Sequence, residues 1–151
     1  MDEISFNKII DFAVEKEREA VEFYHDLQKS AKFSALRTML QELEDMEKSH
    51  ILILEKMRQD SGGSLKSSPI KDLKIVDYTV DDELEPDNYQ NILLIAMKRE
   101  EKAKLLYLDL STRYFEVDSK LSSLFRKLAD EEAGHKLKFE KLYDDFVLKE
   151  N

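Results

Sequence analysis

The chain has 151 residues and a mass of 17.8 kDa, a single domain by length and large enough to bury a core. It is 42% hydrophobic with only 3 Gly and 2 Pro, which disfavours a turn-rich sandwich or barrel and favours a few long helices. Asp and Glu number 33 against 24 Lys and Arg, and the formal net charge of −9 repels nucleic acid and anionic membrane alike. The absence of cysteine excludes disulfides, thiol nucleophiles, iron–sulfur clusters and cysteine-ligated metal ribbons. Met1–Ser5 carries no basic region followed by an apolar run, and no apolar stretch approaches the roughly 18 residues of a membrane span. The expectation is a cytoplasmic, mostly helical protein with no signal peptide, no nucleic-acid partner and no membrane partner.

Four segments place apolar residues three and four apart, the pattern of a buried helical face. The first, from about Ile4 to Lys29, aligns Ile10, Ala13, Ala20, Tyr24 and Leu27. The second, from about Ser34 to Arg58, aligns Leu36, Leu40, Leu43, Leu54 and Met57. A few residues around Ala31-Lys32-Phe33 join these two, so they form an antiparallel hairpin. A third segment, about Asp87 to Arg113, carries Leu93, Ala96, Ala103, Tyr107 and Leu110, and Asp87 is its expected N-cap. The fourth, about Asp118 to Lys149, carries Leu121, Leu124, Leu128, Phe139, Leu142 and Phe146, with Asp118 or Ser119 as the cap. The short link at Phe115-Glu116-Val117 makes these two a second hairpin.

Residues 59–86, which include Ser61-Gly62-Gly63-Ser64 and Ser67-Ser68-Pro69, lie between the hairpins. A helix of about 26 residues is roughly 39 Å long, and this segment can run back along that length. The predicted fold is all-α: a ferritin-like four-helix bundle of two helical hairpins, residues 1–151 as one domain, with 59–86 as a long crossover. Within the crossover, Ile75-Val76-Asp77-Tyr78-Thr79-Val80 is β-branched enough to lie extended along the bundle.

The two hairpins are copies of one unit. A shift of 83 positions pairs Ala13 with Ala96, Glu17 with Glu100, Ala20 with Ala103 and Tyr24 with Tyr107. A shift of 85 pairs Leu43 with Leu128, Glu47 with Glu132 and His50 with His135. This is the mark of an internal repeat with a pseudo-two-fold axis.

Each apolar stripe is interrupted at an equivalent place: by Glu17, by Glu47 with His50, by Glu100, and by Glu132 with His135. Residues three apart share a helix face, so each Glu-x-x-His pair projects together. Four carboxylates in a core are strongly unfavourable unless neutralised. Four Glu⁻ with two neutral His carry −4, and two divalent cations carry +4. One Glu from each of two helices plus Glu-x-x-His from each of the other two is the ligand set of di-iron and di-manganese carboxylate bundles. Carboxylate and imidazole suit two iron ions, with manganese or zinc as alternatives. A Glu–His network without metal is the competing reading. Tyr24 and Tyr107, two turns beyond Glu17 and Glu100, either hydrogen-bond the ligating carboxylates from behind or simply pack. His25 falls off the stripe and is expected at the surface, and Gly134 eases helix packing or opens space beside the site.

At these residues the sequence resembles the rubrerythrin branch of the ferritin-like superfamily. The carrying phrases are Glu17-Arg18-Glu19-Ala20 with Tyr24, Glu47-Lys48-Ser49-His50, Glu100-Glu101-Lys102-Ala103 with Tyr107, and Glu132-Ala133-Gly134-His135. The resemblance implies a di-iron centre that reacts with hydrogen peroxide or dioxygen, and a homodimer. It departs from the family in two ways. No cysteine is present to form a rubredoxin-like iron site, so a separate electron-donor protein is required. The additional carboxylate of rubrerythrins, one turn beyond the first on the third helix, is replaced by Ala103, with Met97 one turn before Glu100. The site is thus a symmetric set of four Glu and two His, and no acid or base beyond the ligands is identifiable. The first functional reading is an oxidoreductase. Ferroxidase or iron handling, favoured by the negative charge, is the alternative, and structural metal binding without catalysis is a third.

Overall fold

The computed structural model describes residues 3–32, 34–60, 70–71, 73–79, 85 and 88–150. Four long helices account for most of them: α1 (Phe6–Ser30), α2 (Ser34–Asp60), α3 (Tyr89–Tyr114) and α4 (Ser119–Glu150). Among the described residues the chain is all-α with four long helices, the content that the periodicity predicts. It divides into two compact units, Met1–Leu73 and Lys74–Asn151, each built on one hairpin.

In the first unit Ser5 sets the start of α1: its Oγ accepts a hydrogen bond from the Lys8 amide at 3.2 Å. The helix therefore begins at Phe6 and not at Ile4. Glu3–Ile4 (β1) instead pairs antiparallel with Ile70–Lys71 (β2), Glu3 opposite Lys71 and Ile4 opposite Ile70. The helices run antiparallel, since Gln28 reaches Glu44 near one end and Arg58 reaches Asp11 near the other. Their shared core holds Phe6, Ile9, Ile10, Leu40, Leu43 and Leu54, while Leu27 and Leu36 at the stripe ends are only half-buried.

In the second unit Asn88 caps α3, its side chain accepting from the Asn91 amide at 2.8 Å. The expected cap, Asp87, is one residue away and lies outside the described residues. Asp118 caps α4 as expected, with the Leu121 amide donating to its carboxylate at 3.0 Å. Again the pairing is antiparallel. Tyr89 meets Phe146, Lys136 reaches Glu101, and Ser111 and Ser122 exchange hydrogen bonds at the loop end. Phe125 stacks on both Tyr107 and Tyr114, with ring centroids 6.3 and 6.0 Å away. Burying such a ring contributes about 1.5–3 kcal/mol.

The stretch expected to lie extended instead forms a 3₁₀ turn over Ile75–Tyr78. Three polar contacts override its β-branched propensity. The Asp77 amide donates to the Lys74 carbonyl, Tyr78 Oη donates to Asp109 at 2.7 Å, and Lys102 Nζ reaches the Asp77 carbonyl at 2.9 Å. Val80, the last residue of that stretch, lies outside the described residues, as does 61–69. No helix among the described residues is long and apolar enough to cross a membrane.

Candidate metal centre

Each hairpin presents the same three-residue constellation. In the first, α1 supplies Glu17 and α2 supplies Glu47 and His50. His50 Nδ1 lies 3.1 Å from Glu17 Oε2 and 3.5 Å from Glu47 Oε1. In the second, α3 supplies Glu100 and α4 supplies Glu132 and His135, with His135 Nδ1 3.4 Å from Glu100 Oε2 and 4.0 Å from Glu132 Oε2. Within each triad, one ligand atom per residue falls within 4.8 Å of the others. The three-residue spacing of each Glu-x-x-His aims both side chains from one face, and the facing helix adds the remaining Glu.

All six side chains are buried: the four Glu at 1% exposure, His50 at 0% and His135 at 5%. Two buried carboxylates in one hairpin carry −2 when ionised, and desolvating each costs several kcal/mol. One divalent cation per triad cancels that charge, and a set of two carboxylates and one imidazole suits iron, manganese or zinc. The donor chemistry of each triad therefore fits one metal ion. All six residues named from the sequence are buried, three of them on each hairpin.

Tyr24 and Tyr107 are also fully buried, at 0% and 1% exposure. Tyr24 packs against Phe23 with centroids 5.7 Å apart, and Tyr107 stacks on Phe125.

A fifth buried carboxylate was not foreseen. Glu44, one turn before Glu47, is 3% exposed. Lys48 reaches it at 2.7 Å, Gln28 Nε2 donates to it at 2.7 Å, and His25 Nδ1 lies 3.2 Å away. Burial pushes this carboxyl upward, but the contacts with Lys48, Gln28 and His25 outweigh that and hold it below the usual carboxylate range. His25, expected as plain surface, is exposed but engaged. The missed signal is the spacing itself, since Glu44 adjoins Leu43 and sits three residues from Glu47 on the inward side of α2. In the second hairpin its repeat position is Ala129, so the repeat gave no warning.

The family model named Rubrerythrin matches residues 91–151, which span nearly all of α3 and the whole of α4. A solved structure of a hypothetical protein from Pyrococcus furiosus is similar over 93% of this chain and 94% of that one, with 25% sequence identity and a TM-score of 0.62. No curated protein matches the chain. Residues 91–151 are rubrerythrin-like, as Glu100, Tyr107, Glu132 and His135 within that span lead one to expect.

Proposed function

We propose that the two triads act together as one two-metal centre in a single domain spanning residues 1–151, and that the protein is a di-iron carboxylate oxidoreductase. Glu17, Glu47 and His50 would hold one ion, and Glu100, Glu132 and His135 the other. Bound iron would supply the electrons that reduce hydrogen peroxide or dioxygen. The chain's own residues do the rest. The carboxylates would balance the charge of the ions, the imidazoles would each supply a nitrogen ligand, and the buried Leu43, Leu128 and Phe139 on the same helices would help to exclude bulk water. Tyr24 and Tyr107 would orient the carboxylates of their own helices. The observation that carries this reading is the duplicated buried Glu, Glu-x-x-His set, one per hairpin.

A separate electron-donor protein is the proposed source of the electrons that return the centre to its reduced state. We propose a homodimer on the strength of the resemblance, and a cytoplasmic location as the sequence pattern leads one to expect. A ferroxidase or iron-handling role is the second reading, favoured by the net charge of −9, which draws cations to the surface.

The test begins with anaerobic loading by excess Fe²⁺, desalting and elemental mass spectrometry. About two irons per chain are expected, one for each triad. Near-zero retention would sink the two-metal reading. Stopped-flow mixing with peroxide comes next. Oxidation no faster than that of free Fe²⁺ would end the oxidoreductase reading, whereas rapid oxidation by dioxygen with release of Fe³⁺ would turn it toward iron handling.

A further inference from the structure

The repeat makes the two triads equal in composition, but three observations make them unequal in the fold. The first is enclosure: His50 is wholly buried, whereas His135 keeps 5% of its surface in contact with solvent. The second is preorganisation. His50 sits 3.1 and 3.5 Å from its two carboxylates, and His135 sits 3.4 and 4.0 Å from its own.

The third is the support around each triad. In the first hairpin, polar contacts between α1 and α2 bracket the ligands: Gln28 and His25 onto Glu44 on one side, Arg58 onto Asp11 on the other. The repeat positions of Glu44 and Lys48 in the second hairpin are Ala129 and Ala133, and the cross-helix polar contact beside its ligands, Lys136 to Glu101, is a more solvent-exposed one. The residue before His135 is Gly134, exposed and in the middle of α4, with no atom within 4 Å of where a Cβ would stand. Glycine in a helix interior lowers local helix stability, and no close packing here calls for it. Its counterpart is Ser49, which is hydrogen-bonded to the Met46 carbonyl at 2.6 Å.

We propose that the second hairpin, through His135, Glu100 and Glu132, holds the exchangeable metal ion, and that the first hairpin holds a retained one. A ligand set that is tighter, drier and braced by its neighbours releases its ion slowly. A looser set beside a helix glycine opens to water and to competing ligands. This inference rests on the two-metal reading and adds a direction to it: divalent cations enter and leave by the α3–α4 half.

The experiment uses the full chain loaded with Co²⁺, whose visible absorption reports the coordinated ion. Mixing with excess EDTA should release the metal in two phases of equal size, separated by on the order of tenfold or more in rate. His135→Gln should bind one Co²⁺ and release it in the slow phase alone, whereas His50→Gln should retain only a fast-releasing ion. A single phase for both ions in the wild type would overturn the proposal while leaving the two-metal reading intact. A slow phase that survives in His50→Gln but vanishes in His135→Gln would reverse the assignment and overturn it as well. Uptake of fewer than two Co²⁺ by the wild type would bring down the two-metal reading itself, and the inference with it.

Discussion

Polar groups join the helices of both hairpins, Gln28 and His25 to Glu44 and Arg58 to Asp11 in the first and Lys136 to Glu101 and Ser111 with Ser122 in the second, but the second adds the Tyr107–Phe125–Tyr114 stack. The repeat partner of Phe125 is Leu40, and the repeat partners of Arg58 and Asp11 are Tyr143 and Leu94. One repeated pattern is thus supported in two ways around the same candidate triad. What differs is the support, and support controls how firmly a ligand is held while leaving its chemical identity alone.

The largest effect should come from metal removal, because it tests what the hairpins have in common. Each ion bound at on the order of 1,000 times its Kd stabilises the native state by about 4 kcal/mol. Calorimetry of the apo and loaded protein should therefore show a rise of more than about 10 °C in Tm when both ions bind. Glu47→Ala should lower the metal content by at least one ion per chain. An unchanged Tm on loading, or full occupancy in that variant, would show that the triads are not metal ligands.

The next effect separates the hairpins. Phe125→Ala removes the ring on which Tyr107 and Tyr114 stack and should cost about 3–5 kcal/mol in urea unfolding. Leu40→Ala, the same position in the first hairpin, should cost less, about 2–3 kcal/mol. The reverse order would mean that the aromatic stack is not what holds the second hairpin.

Glu44→Gln probes the polar bracket of the first hairpin, with an expected loss of about 1–2 kcal/mol near neutral pH. Its pH dependence has a definite sign. The folded-state pKa of Glu44 is lowered, so its contribution is complete above the unfolded carboxylate value of about 4.3 and fades as pH falls through the lower folded value. The stability gap between wild type and Glu44→Gln should be flat above about pH 5 and shrink below about pH 4. A gap that widened on acidification would contradict the bracket.

The smallest effect is also the easiest to interpret. Gly134→Ala has open space for the added methyl and should stabilise the protein by about 0.5–1 kcal/mol. A loss of stability would show that the glycine accommodates a close neighbour, such as a second copy of the chain.

Much of this protein was legible in its sequence because helices and repeats are local. Apolar spacing marked all four helices to within a few residues, and the repeat singled out Glu17, Glu47, His50, Glu100, Glu132 and His135, since a carboxylate on a core stripe needs a reason. What escaped depends on partners distant along the chain. Glu3–Ile4 left the first helix because Ile70–Lys71 pairs with it. Residues 75–78 turned into a 3₁₀ helix through contacts with Asp109 and Lys102 on α3. Glu44 passed unmarked because its partners Gln28 and His25 lie on α1, distant along the chain. The ligand types were set by the sequence alone, because charge and spacing are written into it. The inequality of the two triads was decided only by tertiary packing, because enclosure, preset distances and bracing are properties of what surrounds a residue and not of the residue itself.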